Sequence, residues 1–437
     1  MNIDILFKKH PSYDAVKTQA DYLFRSYVGG EAYRAGQFLT KYMGEGDIPG
    51  AYSKRLAATP LDNHTQTTVD IYRSFIFKTE PHRELGKLEQ NSLVNDWLKD
   101  TDQEGQGMSS FIKTMNDYAM VLGNVWILVD KPAYKVNTQA EEEALGIRGY
   151  ACMYSPQNVL NWEYKRSING KMQLSHISVI EDESSNHVTI THWYSDRVEK
   201  YTVIKNDQGT PEDITGSQVY ENPLGYIPMV NHVPQKSMVR GVGQSIMADV
   251  ADSQKYIYNL LSELEQTIRI SSHPTLVKTK TTDANAGAGS IINLDDQSDP
   301  GLNPYLLQPT SSGINGILDT IEATVDAILR MSHTSAVAAV KTSSSSGISL
   351  EVERELLFAK LTDLADTIEE TEYKMWSIWA DWQGLELPKE FAIDYDKSYN
   401  IRNKEADLAQ LKIALELNDD ADFQSAMKEK IANMFKD

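Results

Sequence analysis

Residues 244–272 read QSIMADVADSQKYIYNLLSELEQTIRISS, and the spacing of their apolar positions decides the architecture. Ile246, Val250, Ile257, Leu261, Leu264 and Ile268 recur at steps of 4, 7, 4, 3 and 4. That is the narrow stripe of a helix suited to one partner helix rather than to a broad core. Asp249, Asp252, Glu263 and Glu265 occupy the other faces with Lys255 and Arg269, and His273-Pro274 ends the pattern. The pattern returns over 314–332, where Ile314, Ile317, Ile321, Val325 and Ile328 form a stripe and Asp319, Glu322 and Asp326 lie on the polar side. Between the two, residues 274–313 are rich in Gly, Asp, Asn, Pro and Thr, with short apolar pieces at Leu276-Val277, Ile291-Ile292 and Tyr305-Leu306-Leu307. The expectation is a finger of two antiparallel helices with a small β or loop module at its tip.

Upstream, residues 11–28 and 60–77 predict helices. The first carries Val16, Ala20, Leu23 and Tyr27 and stops at Gly29-Gly30; the second has a broad face of Val69, Ile71, Tyr72, Phe75 and Ile76. Ser109-Ser110 suggest the cap of a third helix beginning near Phe111. From about 121 the period shortens. Val125–Val129 is a continuous apolar run closed by Asp130-Lys131-Pro132, as in a strand covered on both faces. Met172–Ile180, His187–Tyr194 and Val198–Ile204 follow as a meander, with Asn169-Gly170 predicting a two-residue hairpin turn and Tyr226–Val230 a further short strand.

Downstream of the finger, residues 333–347 (HTSAVAAVKTSSSSG) predict a flexible loop. A long helix then runs from Ser349, its expected N-cap, to Gly384, with Leu350, Leu357, Leu361, Leu364, Ile368, Met375, Ile378 and Trp382 on one face. A short extended piece near Phe391–Ile393 leads to a charged helical region at about 403–435.

The chain has 437 residues, enough for two or three domains and a large core. Its 42 Lys+Arg against 62 Asp+Glu give a net charge of −20, which speaks against a protein that clamps DNA phosphates. Cys152 is the sole cysteine, so neither an internal disulfide nor a cysteine zinc site is expected. Met1-Asn2-Ile3-Asp4 lacks the basic and apolar regions of a signal peptide and no long apolar run occurs, so the expectation is a soluble intracellular protein.

Catalytic signatures are absent: no G-x-x-x-x-G-K-[ST] and no G-x-S-x-G occur. Gly241-Val242-Gly243 lacks the third glycine of a dinucleotide fingerprint and reads as a turn before a helix. His187 and His192 lie five positions apart, which sends them to opposite faces of a strand. Glu369, Glu370 and Glu372 read as a solvated face, and Trp376, Trp379 and Trp382 as core or interface anchors. No cofactor is expected. The finger itself implies partners, because leaving five or six apolar side chains per helix wet would be a loss of roughly 10 kcal/mol; neighbouring copies in a ring would cover them.

Several segments resemble the portal proteins of tailed double-stranded DNA bacteriophages. They are Gly29-Gly30 with Tyr33, Tyr52 with Arg55, Pro60 and Asn63, Val69 and Tyr72 to Phe77, and Gly123-Asn124-Val125-Trp126 running into Asp130-Lys131-Pro132. Ala251–Asn259 resembles the start of that family's first stem helix, and Ser346-Gly347-Ile348-Ser349-Leu350 its junction from tunnel loop to long helix. The order of parts, over about residues 15–400, carries the resemblance. It implies an α+β portal-like fold: wing 1–240, first stem helix 241–272, clip 273–313, second stem helix 314–332, tunnel loop 333–347, long helix and wing return 348–399, and a short helical crown 400–437.

The implied role is a twelve-fold ring at one capsid vertex of the virion, assembled in the host cytoplasm, serving as channel for genome packaging and ejection and not as an enzyme. Its implied partners are the terminase large subunit, a neck or adaptor protein, the major capsid and scaffolding proteins, and passing double-stranded DNA held without sequence specificity. Val340, Lys341, Thr342, Ser343 and Ser344 would face the DNA, Lys341 either as a basic ring or as a solvated lysine. Glu263, Glu265, Asp319 and Glu322 would line the channel or a subunit interface, or lie on a solvated outer face of the stem. Asp283, Asn285, Asp295 and Asp296 are clip candidates for terminase or adaptor docking by location. Another head-to-tail connector or scaffold ring, and a metal-dependent nuclease, are the alternatives.

Overall fold

A computed structural model describes residues 3–132, 141, 145–272, 275–277, 305–307, 311–338 and 347–399. The chain divides into two units, Met1–Tyr395 and Asp396–Asp437. Of the second, residues 396–399 are described, and there the Ser398 N–H donates to the Asp396 carboxylate at 2.8 Å. The predicted crown at 400–437 lies outside the described residues.

The first third of the larger unit is helical: α1 (Ile3–Leu6), α2 (Tyr13–Val28), α3 (Gly30–Ala35), α4 (Ala51–Ala58), α5 (His64–Ile76), α6 (Ser92–Lys99) and α7 (Met108–Leu122). α2 stops where expected, because Gly29 takes φ 69°, a conformation glycine adopts freely, and its N–H closes on the Arg25 carbonyl. α5 is capped by Asn63, whose Oδ1 accepts from the Gln66 N–H at 3.0 Å, and it buries Val69, Tyr72 and Ile76. α7 starts earlier than predicted, after Gly107. Ser109 and Ser110 therefore sit inside its first turn, and the Ser109 hydroxyl donates to Glu80 instead of capping.

The strands run in chain order β1 (His82–Glu84), β2 (Val125–Asp130), β3 (Tyr150–Tyr154), β4 (Val159–Arg166), β5 (Met172–Glu183), β6 (His187–Tyr194), β7 (Arg197–Lys205), β8 (Pro211–Glu221) and β9 (Met229–His232). β2 is the middle of a three-stranded antiparallel sheet, β3–β2–β9, and Val125–Val129 are all buried, as the unbroken apolar run predicts. The meander β4–β8 has five strands rather than the three read from sequence. β4 begins buried and ends exposed without alternating, and β8 is a largely exposed outer strand defined by its ladder to β7. The hairpin at Asn169-Gly170 also differs. The Ser167 and Lys171 backbones close it through the Ser167 N–H, so three residues turn the chain, and of these only Gly170 has positive φ.

One face of the meander packs on the three-stranded sheet through Trp126, Tyr154, Trp162, Ile177, Val179 and Trp193. The other is covered by the N-terminal segment, with Leu6 and Tyr13 against Leu160, Val188, Ile190 and Val203.

The finger follows: α8 (Ala248–Ser272), then β10 (Thr275–Val277) paired antiparallel with β11 (Tyr305–Leu307), then α9 (Ser311–Met331). Beyond it lie α10 (Ser335–Ala338), α11 (Gly347–Gln383) and β12 (Ala392–Asp394), which pairs with β1. The predicted loop 333–347 is thus partly helical, and the buried Ser332 and Thr334 hydroxyls bond each other at 2.7 Å. α11 begins two residues before Ser349, which falls inside its first turn; at ~1.5 Å per residue its 37 residues span about 55 Å. Its far end is anchored as predicted by Trp376 and Trp379, both fully buried, with Trp379 stacked on Trp97 at 5.7 Å. Trp382, half-buried, donates to the Val129 carbonyl at 2.8 Å.

The carboxylates before these tryptophans do not form one solvated face. Glu370 is exposed and pairs with Lys374, but Glu372 is fully buried. It accepts from Arg83 Nε at 2.6 Å and from the Tyr395 hydroxyl at 2.7 Å, while Glu369 accepts from the Tyr395 N–H. The face is polar in sequence because β1 and the segment after β12 bring it partners from afar.

Candidate functional site

The finger is the most distinctive feature of the fold, and its root is built from polar groups that local sequence does not mark. Gln254 is fully buried in the first half of α8; its Oε1 accepts from the Thr65 N–H at 2.8 Å and its Nε2 donates to the Ser26 carbonyl at 3.0 Å. One side chain thereby ties α8 to both α5 and the end of α2. Asn259 accepts from the Thr40 N–H at 2.8 Å, and Tyr258 packs edge-on against Tyr33.

One turn further, Arg55 from α4 donates to Ser262 Oγ at 2.9 Å, to the Thr40 carbonyl at 2.5 Å, and to Glu45 through Nε at 2.7 Å and Nη2 at 2.8 Å. Its guanidinium lies 3.8 Å from the Tyr42 ring centre. The two-pronged contact with Arg55 holds the Glu45 carboxyl below the usual carboxylate range. Arg55 and Ser262 are 207 positions apart, which is why no spacing rule finds the pair.

Beyond Ser262 the finger leaves the body. No described residue of 263–272 is buried, and none of 313–327 on α9 is buried either. Where α8 and α9 meet, Val250, Ile257 and Leu261 pack against Ile321, Val325 and Ile328, so the stripe read from sequence finds its partner helix within the chain. The distal part stays uncovered: Ile268 is 47% exposed and Leu318 46%.

Of the stem carboxylates, Glu263, Asp319 and Glu322 are exposed, while Glu265 is half-buried and paired with Arg269 one turn on. Asp319 and Glu322 make no ion pair among the described residues. The finger surface therefore combines free acidity with uncovered apolar positions. The loop residues Val340, Lys341, Thr342, Ser343 and Ser344 and the tip residues Asp283, Asn285, Asp295 and Asp296 lie outside the described residues.

Gly241-Val242-Gly243 is a packing turn. A Cβ on Gly241 would meet Trp162 Nε1 at 2.4 Å, and one on Gly243 would lie 1.8 Å from the Gly123 carbonyl oxygen. The Gly243 N–H donates to Asn124 Oδ1, and the Ile246 N–H to the Met120 carbonyl, so the chain entering α8 is stitched to the corner between α7 and β2.

The histidines of β6 point to opposite faces as expected: His187 is half-exposed beside Asp182, and His192 is buried against His176 of β5. Among the described residues no group of three His, Cys, Asp or Glu side chains is placed to hold a metal ion. None of their helices is long and apolar enough to cross a membrane.

No protein-family model matches this chain and no curated protein matches it. Among solved structures, it is similar to a chain from the neck of an empty GTA particle computed with C6 symmetry, with TM-score 0.49, 9% identity, and coverage of 92% of this chain and 99% of that one. It is also similar to a chain from the neck of a native GTA particle computed with C12 symmetry, with TM-score 0.45, 9% identity, and coverage of 92% and 98%.

Proposed function

We propose that the chain is a portal-like head-to-tail connector, the subunit of a ring of twelve copies at one vertex of a phage-like capsid. The observation that supports this best is the finger, anchored through buried polar contacts at its root and uncovered over its distal half. Its exposed Ile268 and Leu318 call for neighbours, and side-by-side copies around an axis supply them without an open-ended chain of contacts. The order of sequence segments that resembles the portal family points the same way.

In such a ring the exposed stem carboxylates Glu263, Asp319 and Glu322 would repel DNA phosphates, with screening beyond ~10 Å at cellular salt. The duplex then stays centred and mobile. Acidity suits a conduit, in which tight binding would stall the cargo. Lys341 would supply a basic ring for transient phosphate contact, and the clip between β10 and β11 would dock first the terminase large subunit and then a neck adaptor, with capsid and scaffolding proteins around the wing. No catalytic step is assigned to the chain.

Negative-stain imaging of the purified protein with symmetry analysis tests the reading. A wide ring with a central channel is expected, and a monomer at micromolar concentration across several salt conditions would overturn it. Within a packaging system, Lys341→Glu should shorten the packaged DNA while leaving rings intact; normal packaging would remove the lysine from the mechanism.

A further inference from the structure

The N-terminal segment lies across the outer face of the meander as a strap and reaches round its edge strand β4 to Trp162. Leu6 is fully buried there, the His10 N–H donates to the Leu160 carbonyl at 2.8 Å, the His10 ring stacks on Trp162 at 3.9 Å, and the Tyr13 hydroxyl donates to the Gln157 carbonyl at 2.8 Å. Beside the strap is a cleft of about 280 Å³ whose walls include Ile5 and Lys8 of the strap, Glu163 and Lys165 of β4, and His176 and His192 of the sheet. In it His176 Nε2 and His192 Nδ1 are 3.1 Å apart with near-parallel rings, and His176 also stacks on Tyr194.

That contact needs one ring nitrogen to donate and the other to accept, so it exists only while at least one imidazole is neutral. The surroundings disfavour a second proton. Around His176 burial does this: Glu163 and Glu199 pull towards the charged ring at least as strongly as Lys8 and Lys165 push against it. On the β7 side Tyr201 meets His192 edge-on. His192 Nε2 is buried without a hydrogen bond among the described residues; Glu199 and the Leu6 backbone of the strap favour the charged ring, and burial with the neighbouring His176 outweighs them.

We propose that the His176–His192 pair is an acid-triggered latch that holds the N-terminal strap on the sheet at neutral pH and releases it when both rings are protonated. The charged rings cannot share the 3.1 Å contact, and His192, buried beside the strap, is hydrated when the strap lifts. Desolvation, with His176 adding to it, pushes His192 down to about 4, and desolvation likewise lowers His176 and His10. A histidine whose value is depressed in the closed form binds more protons when open, so opening gains as pH falls from about 6.5 towards 4. The proposal does not depend on ring formation.

Hydrogen exchange of the full chain, corrected for the intrinsic pH dependence of exchange, reads the strap directly. Protection of the amides over residues 5–13 should fall at least tenfold between pH 7.5 and pH 5, while the β6–β7 ladder stays protected. His176→Gln with His192→Gln keeps a neutral hydrogen-bonding pair and should abolish the fall; His10→Phe keeps the stack on Trp162 and should retain it. Unchanged protection in the wild type, a fall that persists in the double glutamine variant, or one that vanishes in His10→Phe overturns the latch. Should the double variant lose ladder protection, His192→Gln alone serves, with a reduced fall expected and an undiminished one counting against the proposal.

Discussion

Glu372 shows at the scale of one residue how charge is spent inside this fold. It is fully buried, and its partner Arg83 is only 12% exposed. Removing one member strands the other in a low dielectric, so Glu372→Gln should destabilise the protein by about 3–5 kcal/mol. Urea unfolding followed by tryptophan fluorescence measures it, and Arg83→Met combined with Glu372→Leu should recover much of the loss. Asp117 gives a pH signature of its own. Burial pushes its carboxyl up to about 6 against the pull of Arg73 at 3.0 Å. The folded chain then holds a proton the unfolded one has released, so this group's contribution falls as pH rises from about 4 to about 6. The difference in thermal midpoint between wild type and Asp117→Asn should change across that interval and level off above it.

At the scale of elements, the helices and the central strand were readable because their partners are apolar and periodicity reports apolar faces. α2 stops at Gly29, β2 is buried throughout, and α8 pairs with α9 along the stripe. What escaped was set by partners distant in sequence. β8 exists through its ladder to β7, Glu372 is inside because Arg83 and Tyr395 reach it, and the finger root depends on Arg55 and Gln254. The tip and loop candidates for docking and DNA contact remain expectations from chain order. Two outcomes follow for the finger. Val325→Ala should cost about 1–3 kcal/mol by opening a gap beside Ile257 and Leu261, measured by urea unfolding. Arg55→Lys cannot reproduce the two-pronged contact with Glu45, so exchange of amides 258–264 should quicken severalfold while the β2 amides are unaffected.

At the scale of the whole molecule, the uncovered half of the finger separates folding from assembly. Ile268 and Leu318 are already half wet in one chain, so Ile268→Asp with Leu318→Asp should leave the unfolding free energy of a single copy within about 1 kcal/mol. In the proposed ring the same variant should convert assemblies to monomers in sedimentation, because burying two aspartates against a neighbour is costly. Unaltered rings would show that copies meet elsewhere. The glycine contact between Gly123 and Gly243 fixes how the chain enters α8. Main chain meets main chain at that point, where no rotamer can yield and no methyl group can be added. The entry to α8 and the corner of α7 and β2 are therefore held at a spacing that alanine at either glycine could not keep.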